Sequence, residues 1–387
     1  MRPCSRAGFS LTFIVVNKEL LEIIKYFERT RPDSTKTVLA TVVDVQGSSY
    51  RLPGARMLIG ERGEMLGTIS GGCLEADVLE RARRVLLTGT TEVFTYDTSG
   101  QEDSVFSLNM GCRGVIRILL ERPKLDFIDF CRRLYQTRHS GLAATLIGAD
   151  ENAHECKIGA RMVLNENKVI TNDFNPAMTK NLLSDCRIVL QEKKSKLLKN
   201  EFGEFFLEFI PSSVSLLIFG AGADAIPVAE TAKNLGWHTT IVDHRKAFAN
   251  GERFPAADEI IITRAENLEE NLTIAENTVA VVMSHNYEHD KNILKFLLNS
   301  NARYIGALGP KRRTENILSE WREAGEIFSG EQLNKLYAPV GLDIGADTPE
   351  SIALSIIAEI KSVLADRNGG FLRRRNGSIY NRNSVAK

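Results

Sequence analysis

Residues 214–225 read Val-Ser-Leu-Leu-Ile-Phe-Gly-Ala-Gly-Ala-Asp-Ala, an apolar run that breaks into Gly220-Ala-Gly222-Ala-Asp-Ala225. The pattern is G-x-G-x-x-G/A with a strand before it and a helix after it. Gly220 permits a tight turn, Gly222 lets a phosphate approach the backbone, and Ala225 is small enough for a helix to pack on the strand. The start of the following helix offers N–H groups to an anion. Asp243 ends the next apolar run, 23 residues after Gly220, where an acid holds a ribose hydroxyl. His244 and Arg245 come next and leave open a choice between ribose and phosphorylated ribose.

Further apolar runs follow at residues 239–242, 259–262, 278–283 and 302–305, most of them separated by helical segments. Alternating strand and helix is the signature of a doubly wound parallel sheet. Residues 211–365 are therefore expected to form a Rossmann-like domain, with Pro211-Ser-Ser213 as a linker. Gly309-Pro-Lys-Arg-Arg313 falls past the fifth strand, so Lys311 and Arg312 suit either a phosphate or a solvated helix start. His285-Asn-Tyr-Glu-His289 spells H-x-x-E-H. A zinc site would need both histidines on one helical face and a further ligand. Starting at the end of a buried strand, the segment reads instead as a ligand-facing loop or a helix cap.

The N-terminal half has a different rhythm. Residues 20–27 carry a helical period in Leu20, Leu21, Ile24 and Phe27. Residues 37–45, 55–59 and 65–70 read as strands, the second and third joined by a turn at Glu61-Arg-Gly-Glu64. Gly71 and Gly72 break the third, and a helix is expected from Cys73. Residues 114–120 and 205–210 are further strands. Cys73 follows two glycines at a helix start, a setting that favours thiolate and leaves its approach open. Cys112 lies in a second glycine-containing turn. For both, the alternative is an inert packing cysteine. Soft thiolates at Cys73 and Cys112 suit a transition metal or a sulfur relay. Cys4, Cys131, Cys156 and Cys186 lack such a setting. An internal echo joins Leu39-Ala-Thr41 and Gly54-Ala-Arg-Met57 to Ala143-Ala-Thr145 and Gly159-Ala-Arg-Met162, the mark of a duplicated β-unit. The second copy lacks the Gly-Gly-Cys turn and reads as structural.

Composition narrows the function classes. The 387 residues are 43% hydrophobic and 25% charged, ordinary for a globular chain. Lys+Arg and Asp+Glu both number 49, which disfavours a nucleic-acid-coating protein. Six cysteines without a CxxC pair argue against a disulfide scaffold or zinc ribbon and suggest a reducing compartment. No apolar run reaches the length of a membrane span. Arg2 and Arg6 precede an apolar run at 9–16, but no small-residue cleavage site follows, so residues 1–36 read as an extension and a helix. Residues 366–387 read as a basic disordered tail.

Together these motifs resemble the XdhC/CoxI family, accessory proteins of molybdenum hydroxylases such as xanthine dehydrogenase. The matching pieces are Gly47-Ser-Ser49, Pro53-Gly-Ala55, Gly67-Thr-Ile-Ser-Gly-Gly-Cys-Leu-Glu75 and Gly111-Cys112 in the first half. In the second half they are Gly220-Ala-Gly222 with Asp224-Ala225, Val242-Asp-His-Arg245, Ser284-His285 with Asp290, Tyr304-Ile-Gly306 with Gly309, Pro339-Val-Gly-Leu-Asp-Ile-Gly345 and Thr348-Pro-Glu350. The resemblance implies an N-terminal α+β domain at 37–210, then the Rossmann-like domain. It implies a cytoplasmic maturation chaperone, not an enzyme, that binds molybdenum cofactor (molybdopterin or a dinucleotide form) and supports its sulfuration and insertion. The implied partner is a xanthine dehydrogenase-like molybdenum hydroxylase, with a cysteine desulfurase as a second partner and a homodimer as the assembly. Gly71, Gly72, Cys73, Cys112, Gly220, Gly222, Asp243, His285, Asp290, Lys311 and Arg312 are the candidate cofactor residues, with Cys73 and Cys112 nearest the metal. Arg113 stands where the family often has a smaller residue, and residues 121–210 carry no family motif. An NAD(P)-dependent oxidoreductase would use the same glycine turn and Asp243, with His285 as its acid/base.

Overall fold

A computed structural model of the chain describes residues 18–30, 34–47, 49–72, 74–97, 114–150, 156–166, 168–275 and 277–376. It divides into two compact units, Ile14–Ser212 and Ser213–Lys387.

The first unit begins with α1 (Lys18–Thr30), whose buried Leu20, Leu21, Ile23, Ile24 and Phe27 form one apolar face. A β-β-β-α-β-β series follows: β1 (Thr37–Gly47), β2 (Arg56–Gly60), β3 (Met65–Gly67), α2 (Glu75–Thr88), β4 (Glu92–Asp97) and β5 (Gly114–Glu121). After α3 (Leu125–Thr137) the series recurs as β6 (Gly141–Ala149), β7 (Arg161–Asn165), β8 (Lys168–Asn172), α4 (Pro176–Glu192), β9 (Lys196–Asn200) and β10 (Gly203–Ile210). The two antiparallel sheets have one strand order, β3-β2-β1-β5-β4 and β8-β7-β6-β10-β9. Registers coincide as well: Thr41 faces Arg56 and Thr145 faces Arg161. The third strand is shorter than the sequence suggests, and α2 starts at Glu75 rather than at Cys73.

The Gly-Ala-Arg-Met quartets have a physical reason. Gly54 and Gly159 adopt φ +94° and +87°, which disfavours a side chain. A Cβ on Gly54 would lie 3.0 Å from Glu208 Oε1, and one on Gly159 would lie 3.3 Å from Glu121 Oε2. Each quartet thus makes room for a glutamate from the other half. Arg56 Nη2 donates to Glu208 at 2.5 Å, and Arg161 Nη2 donates to Glu121 at 2.6 Å. Glu121 faces Leu39 in its sheet as Glu208 faces Ala143, so the two pairs are reciprocal. Both guanidinium groups lie over the Phe127 ring, at 5.3 and 4.2 Å. Val43, Leu119, Ile147 and Phe206 form an apolar cluster from the corresponding strands β1, β5, β6 and β10.

The second unit runs β11 (Ser215–Phe219), α5 (Ala225–Asn234), β12 (His238–Asp243), β13 (Glu259–Ile262), α6 (Leu268–Asn271), β14 (Thr278–Val282), α7 (Tyr287–Leu298), β15 (Tyr304–Ala307), α8 (Lys311–Glu323), α9 (Gly330–Leu333), β16 (Leu336–Tyr337) and α10 (Pro349–Leu364). Its strands are all parallel, in the order β13-β12-β11-β14-β15-β16. That is the doubly wound Rossmann order, with the direction of winding reversing between β11 and β14. The central strands are apolar on both faces, as a sheet covered on two sides requires. Leu217 and Phe219 pack with α7 and α8, while Leu216 and Ile218 are buried on the opposite side.

Removing one partner of a buried ion pair strands the other charge, which costs about 3–5 kcal/mol, whereas replacing both by apolar groups is often nearly neutral. Arg56→Leu should therefore lower the urea midpoint strongly, and Arg56→Leu with Glu208→Leu should recover most of the loss. Equal destabilisation in the single and double variants would contradict this reading of the crossed pairs.

Candidate functional site

At the end of β11 the backbone turns at Gly220 with φ +118°. A Cβ there would lie 2.5 Å from Met283 O and 2.9 Å from Ser284 Cα, so only glycine lets β11 and the end of β14 approach so closely. Gly222 meets a different neighbour, because a Cβ on it would collide with the Asp224 carboxylate. Asp243 ends β12 beside this turn. Its Oδ2 accepts from Ala221 N at 2.8 Å and Arg245 Nη2 at 2.7 Å. Its Oδ1 accepts from Arg245 N at 2.8 Å and Nε at 3.0 Å. Burial works against this charge. Hydrogen bonds from Arg245 and from the Ala221 backbone outweigh it and hold the carboxyl below its ordinary range. The carboxylate is thus already fully engaged, and a ribose hydroxyl would have to displace Arg245.

A cleft of about 220 Å³ opens at the carboxyl ends of these strands. Val242, Leu268 and Ile293 give it apolar walls, and Arg245, Asn286 and His289 give it polar ones. The His244 and His289 rings meet edge to face at 4.9 Å.

His285 follows β14 with φ 59°, in the left-handed region that side chains disfavour. Its Nε2 is 2.8 Å from Asp224 Oδ2. Asn286 caps α7 by accepting from His289 N. His285 therefore precedes the helix while His289 lies in its first turn, so the H-x-x-E-H residues do not form a one-face pair. No group of three His, Cys, Asp or Glu residues placed to hold a metal occurs among the described residues. Asp290 is 4% exposed. It accepts from Ser284 Oγ at 2.5 Å and Arg313 Nη2 at 2.6 Å, bracing the β14–α7 loop against the start of α8. Lys311 and Arg312 are exposed and do not line the cleft; Arg313 is the inward cation. Sequence reasoning thus brought Gly220, Gly222, Asp243, His285 and Asp290 to one sheet edge. The contact of Asp224 with His285 was not foreseen, its place in the glycine motif being the only signal.

The other glycine turn, in the first unit, is tied together by Glu75. Its carboxylate accepts from Thr68 Oγ1 at 2.8 Å, from Ser70 N at 3.0 Å, from Leu74 N at 3.2 Å and from the Ser70 hydroxyl. Burial opposes the charge, but the Ser70 and Thr68 hydroxyls prevail and hold the carboxyl low. A negative charge therefore already stands at the start of α2, offsetting the positive end of the helix. Gly71 and Gly72 are exposed. Tyr50 covers Gly71, its ring 3.6 Å from where a Cβ would stand, while a Cβ on Gly72, at φ +103°, would meet nothing within 4 Å among the described residues. Cys73 and Cys112 lie outside the described residues, as does Cys4. Cys131 and Cys186 are buried, and burial pushes both thiols up to about 12.

The regions holding these turns match known families. Residues 31–97 match the XdhC and CoxI family, and residues 216–360 match the XdhC Rossmann domain. A Bacillus subtilis protein, named as a probable subunit of xanthine dehydrogenase, is 33% identical over 331 residues, covering 85% of this chain and 93% of that protein. The Escherichia coli molybdenum cofactor insertion chaperone PaoD is 24% identical over 328 residues, 84% of this chain and 83% of PaoD. A crystal structure of a Bacillus halodurans protein described as a xanthine dehydrogenase superposes with a TM-score of 0.72 at 29% identity, covering 90% of this chain and 96% of that one. With both of its units matched and a relative 33% identical across nearly its whole length, the chain belongs to the XdhC and CoxI family.

Proposed function

We propose that this chain is a cytoplasmic accessory protein that binds molybdenum cofactor and supports its sulfuration and insertion into a xanthine dehydrogenase-like hydroxylase. The observation that carries the reading is the glycine turn at the β11–β14 switch point. It combines a close backbone approach, an adjoining cleft and the Arg245 cation within the region matched by the XdhC Rossmann domain. The relatives' names, one a cofactor insertion chaperone and the other a subunit of xanthine dehydrogenase, point the same way.

The residues fit a phosphate-bearing pterin. Gly220 gives its own N–H to Val242 O and serves by its tight turn, so the phosphate end would be received at the Gly222 N–H and the start of α5, and Arg245 would supply positive charge at the cleft wall. Arg245 also occupies Asp243, so a ribose at this site would be held without that acid unless it displaced Arg245. When bound, the cofactor supplies a molybdenum centre whose ligands are soft sulfur atoms. In the first unit, the exposed Gly72 directly precedes Cys73 in the sequence. Cys73 and Cys112 are our candidates for the sulfur contact, with a cysteine desulfurase as the sulfur source. Asp290 acts by bracing the loop that carries His285.

We further propose that residues 37–210 are a duplicated β-unit. The shared strand order and the crossed Arg–Glu pairs support this. On this reading the first copy keeps the ligand turn and the second completes the scaffold: at the place of Ser70–Leu74 it has a short Asn175-capped entry into α4.

The oxidoreductase alternative asks His285 to act as acid/base, yet its Nε2 is directed to Asp224. Mass spectrometry of the ligand co-purified under anaerobic conditions should find a pterin; a nicotinamide dinucleotide with hydride turnover would reverse the assignment. Cys73→Ser should reduce activation of the partner hydroxylase at least about tenfold while leaving thermal unfolding unchanged. In the unsubstituted protein at neutral pH, Cys73 should alkylate much faster than Cys131, whose thiol is pushed up to about 12. Equal alkylation rates, together with full activation by the Ser variant, would remove Cys73 from the mechanism.

A further inference from the structure

Asp224 stands at the N-cap of α5, where a short acidic side chain normally accepts from the first turn of the helix. It makes no such cap bond. Its Oδ1 instead covers the face of Gly222, and its Oδ2 is held by His285 at 2.8 Å. His285 reaches it from a left-handed backbone conformation that is disfavoured for a residue with a side chain. That conformation sits in a loop braced by Ser284, Asp290 and Arg313. Two costs are therefore accepted together, an unused cap and a strained histidine. Both put a negative charge on the face of the turn where a ligand phosphate would approach.

A carboxylate and a phosphate in contact repel strongly in a partly dry site. Of the basic groups beside the turn, Arg245 is held by Asp243 and Arg253 donates to the Ala221 and Phe248 carbonyls, which leaves the imidazole as the one in contact with Asp224. It is 62% exposed at its side chain and bound to the protein through one ring nitrogen in the described structure.

We propose that the Asp224–His285 pair is a displaceable guard on the glycine turn, and that the seat it guards takes a nucleoside diphosphate moiety. In the free protein His285 holds Asp224 over Gly222. On binding, the ligand's phosphate draws His285 onto itself, and Asp224 swings off the glycine face. His285 then donates to the phosphate, and the charge on Asp224 rejects ligands that cannot make this exchange. The inference rests on the reading that the turn receives the phosphate end of a cofactor, and adds the residues that regulate its entry.

The test uses the full chain and two probes, ADP and adenosine, by calorimetry at low ionic strength, with thermal unfolding as a check on the fold. Asp224→Asn removes the repelling charge and should tighten ADP about tenfold while leaving adenosine unchanged. His285→Ala leaves the carboxylate unpaired on the seat and removes the donor, so ADP should weaken about tenfold, again without effect on adenosine. ADP binding that ignores both substitutions, or that changes in parallel with adenosine, would overturn the guard and leave the nucleotide seat standing. Tightening of ADP by Mg²⁺ in the unsubstituted protein but not in Asp224→Asn would also overturn it, by making the carboxylate a metal ligand. No ADP binding in any of the three proteins would overturn the nucleotide seat and the guard with it.

Discussion

The second unit depends on one close approach, that of Gly220 to the backbone at Met283 and Ser284. Strands β11 and β14 are neighbours, and their chains leave the sheet at the same edge toward helices α5 and α7. Because the first chain turns without a Cβ, the second can deliver His285 directly above the glycine turn. The cleft, the engagement of Asp243 with Ala221 N and the reach of His285 to Asp224 all follow from that spacing. An alanine at 220 would have to push backbone, not a side chain, out of the way, whereas at 222 it would meet only the movable end of Asp224.

The first unit solves a different problem. Two small sheets with one strand order face each other across a shared core, and each supplies the arginine that neutralises the other's glutamate. Such buried pairs add little net stability against apolar packing but penalise mispairing heavily. Here they fix the relation of the halves to Phe127 and α3. A third contact, Arg117 to Glu204 at 2.7 Å, joins positions that correspond in the two sheets, facing Asp44 and Gly148 respectively. Opposite charges at corresponding positions are open to two linked copies but not to two identical ones. With the scaffold held this way, the turn at Ser70–Glu75 is free to keep an exposed Gly72.

Local signals made much of this readable in the sequence. A strand followed by glycines and a helix announces itself within a dozen residues, and so the glycine turn, Asp243 and the five longer parallel strands were legible. The sixth, Leu336–Tyr337, has two residues and no pattern. Strand β4 was missed because its residues are half-exposed and carry polar positions throughout. Of the sheet at 141–210, one strand at 205–210 and the echo of Gly-Ala-Arg-Met were legible, and the rest was not, since its meaning lies in partners far along the chain: Arg56 and Glu208 are 152 residues apart. The same holds for side-chain direction. Lys311, Arg312 and Arg313 look alike as a run of cations, and only the packing of α8 selects Arg313 for Asp290. Nothing in the spacing revealed that Arg245 would occupy the acid expected to hold a ribose.

Everything proposed for the second unit turns on a phosphate-bearing cofactor being received at Gly220–Gly222. The decisive measurement is a crystal structure of the full chain loaded anaerobically with molybdenum cofactor, with anomalous scattering identifying the metal. Phosphate density is expected against Gly222, with Asp224 moved off that face and His285 turned to the phosphate. Cofactor bound with its phosphate elsewhere, and the Asp224–His285 contact unchanged, would contradict the proposal.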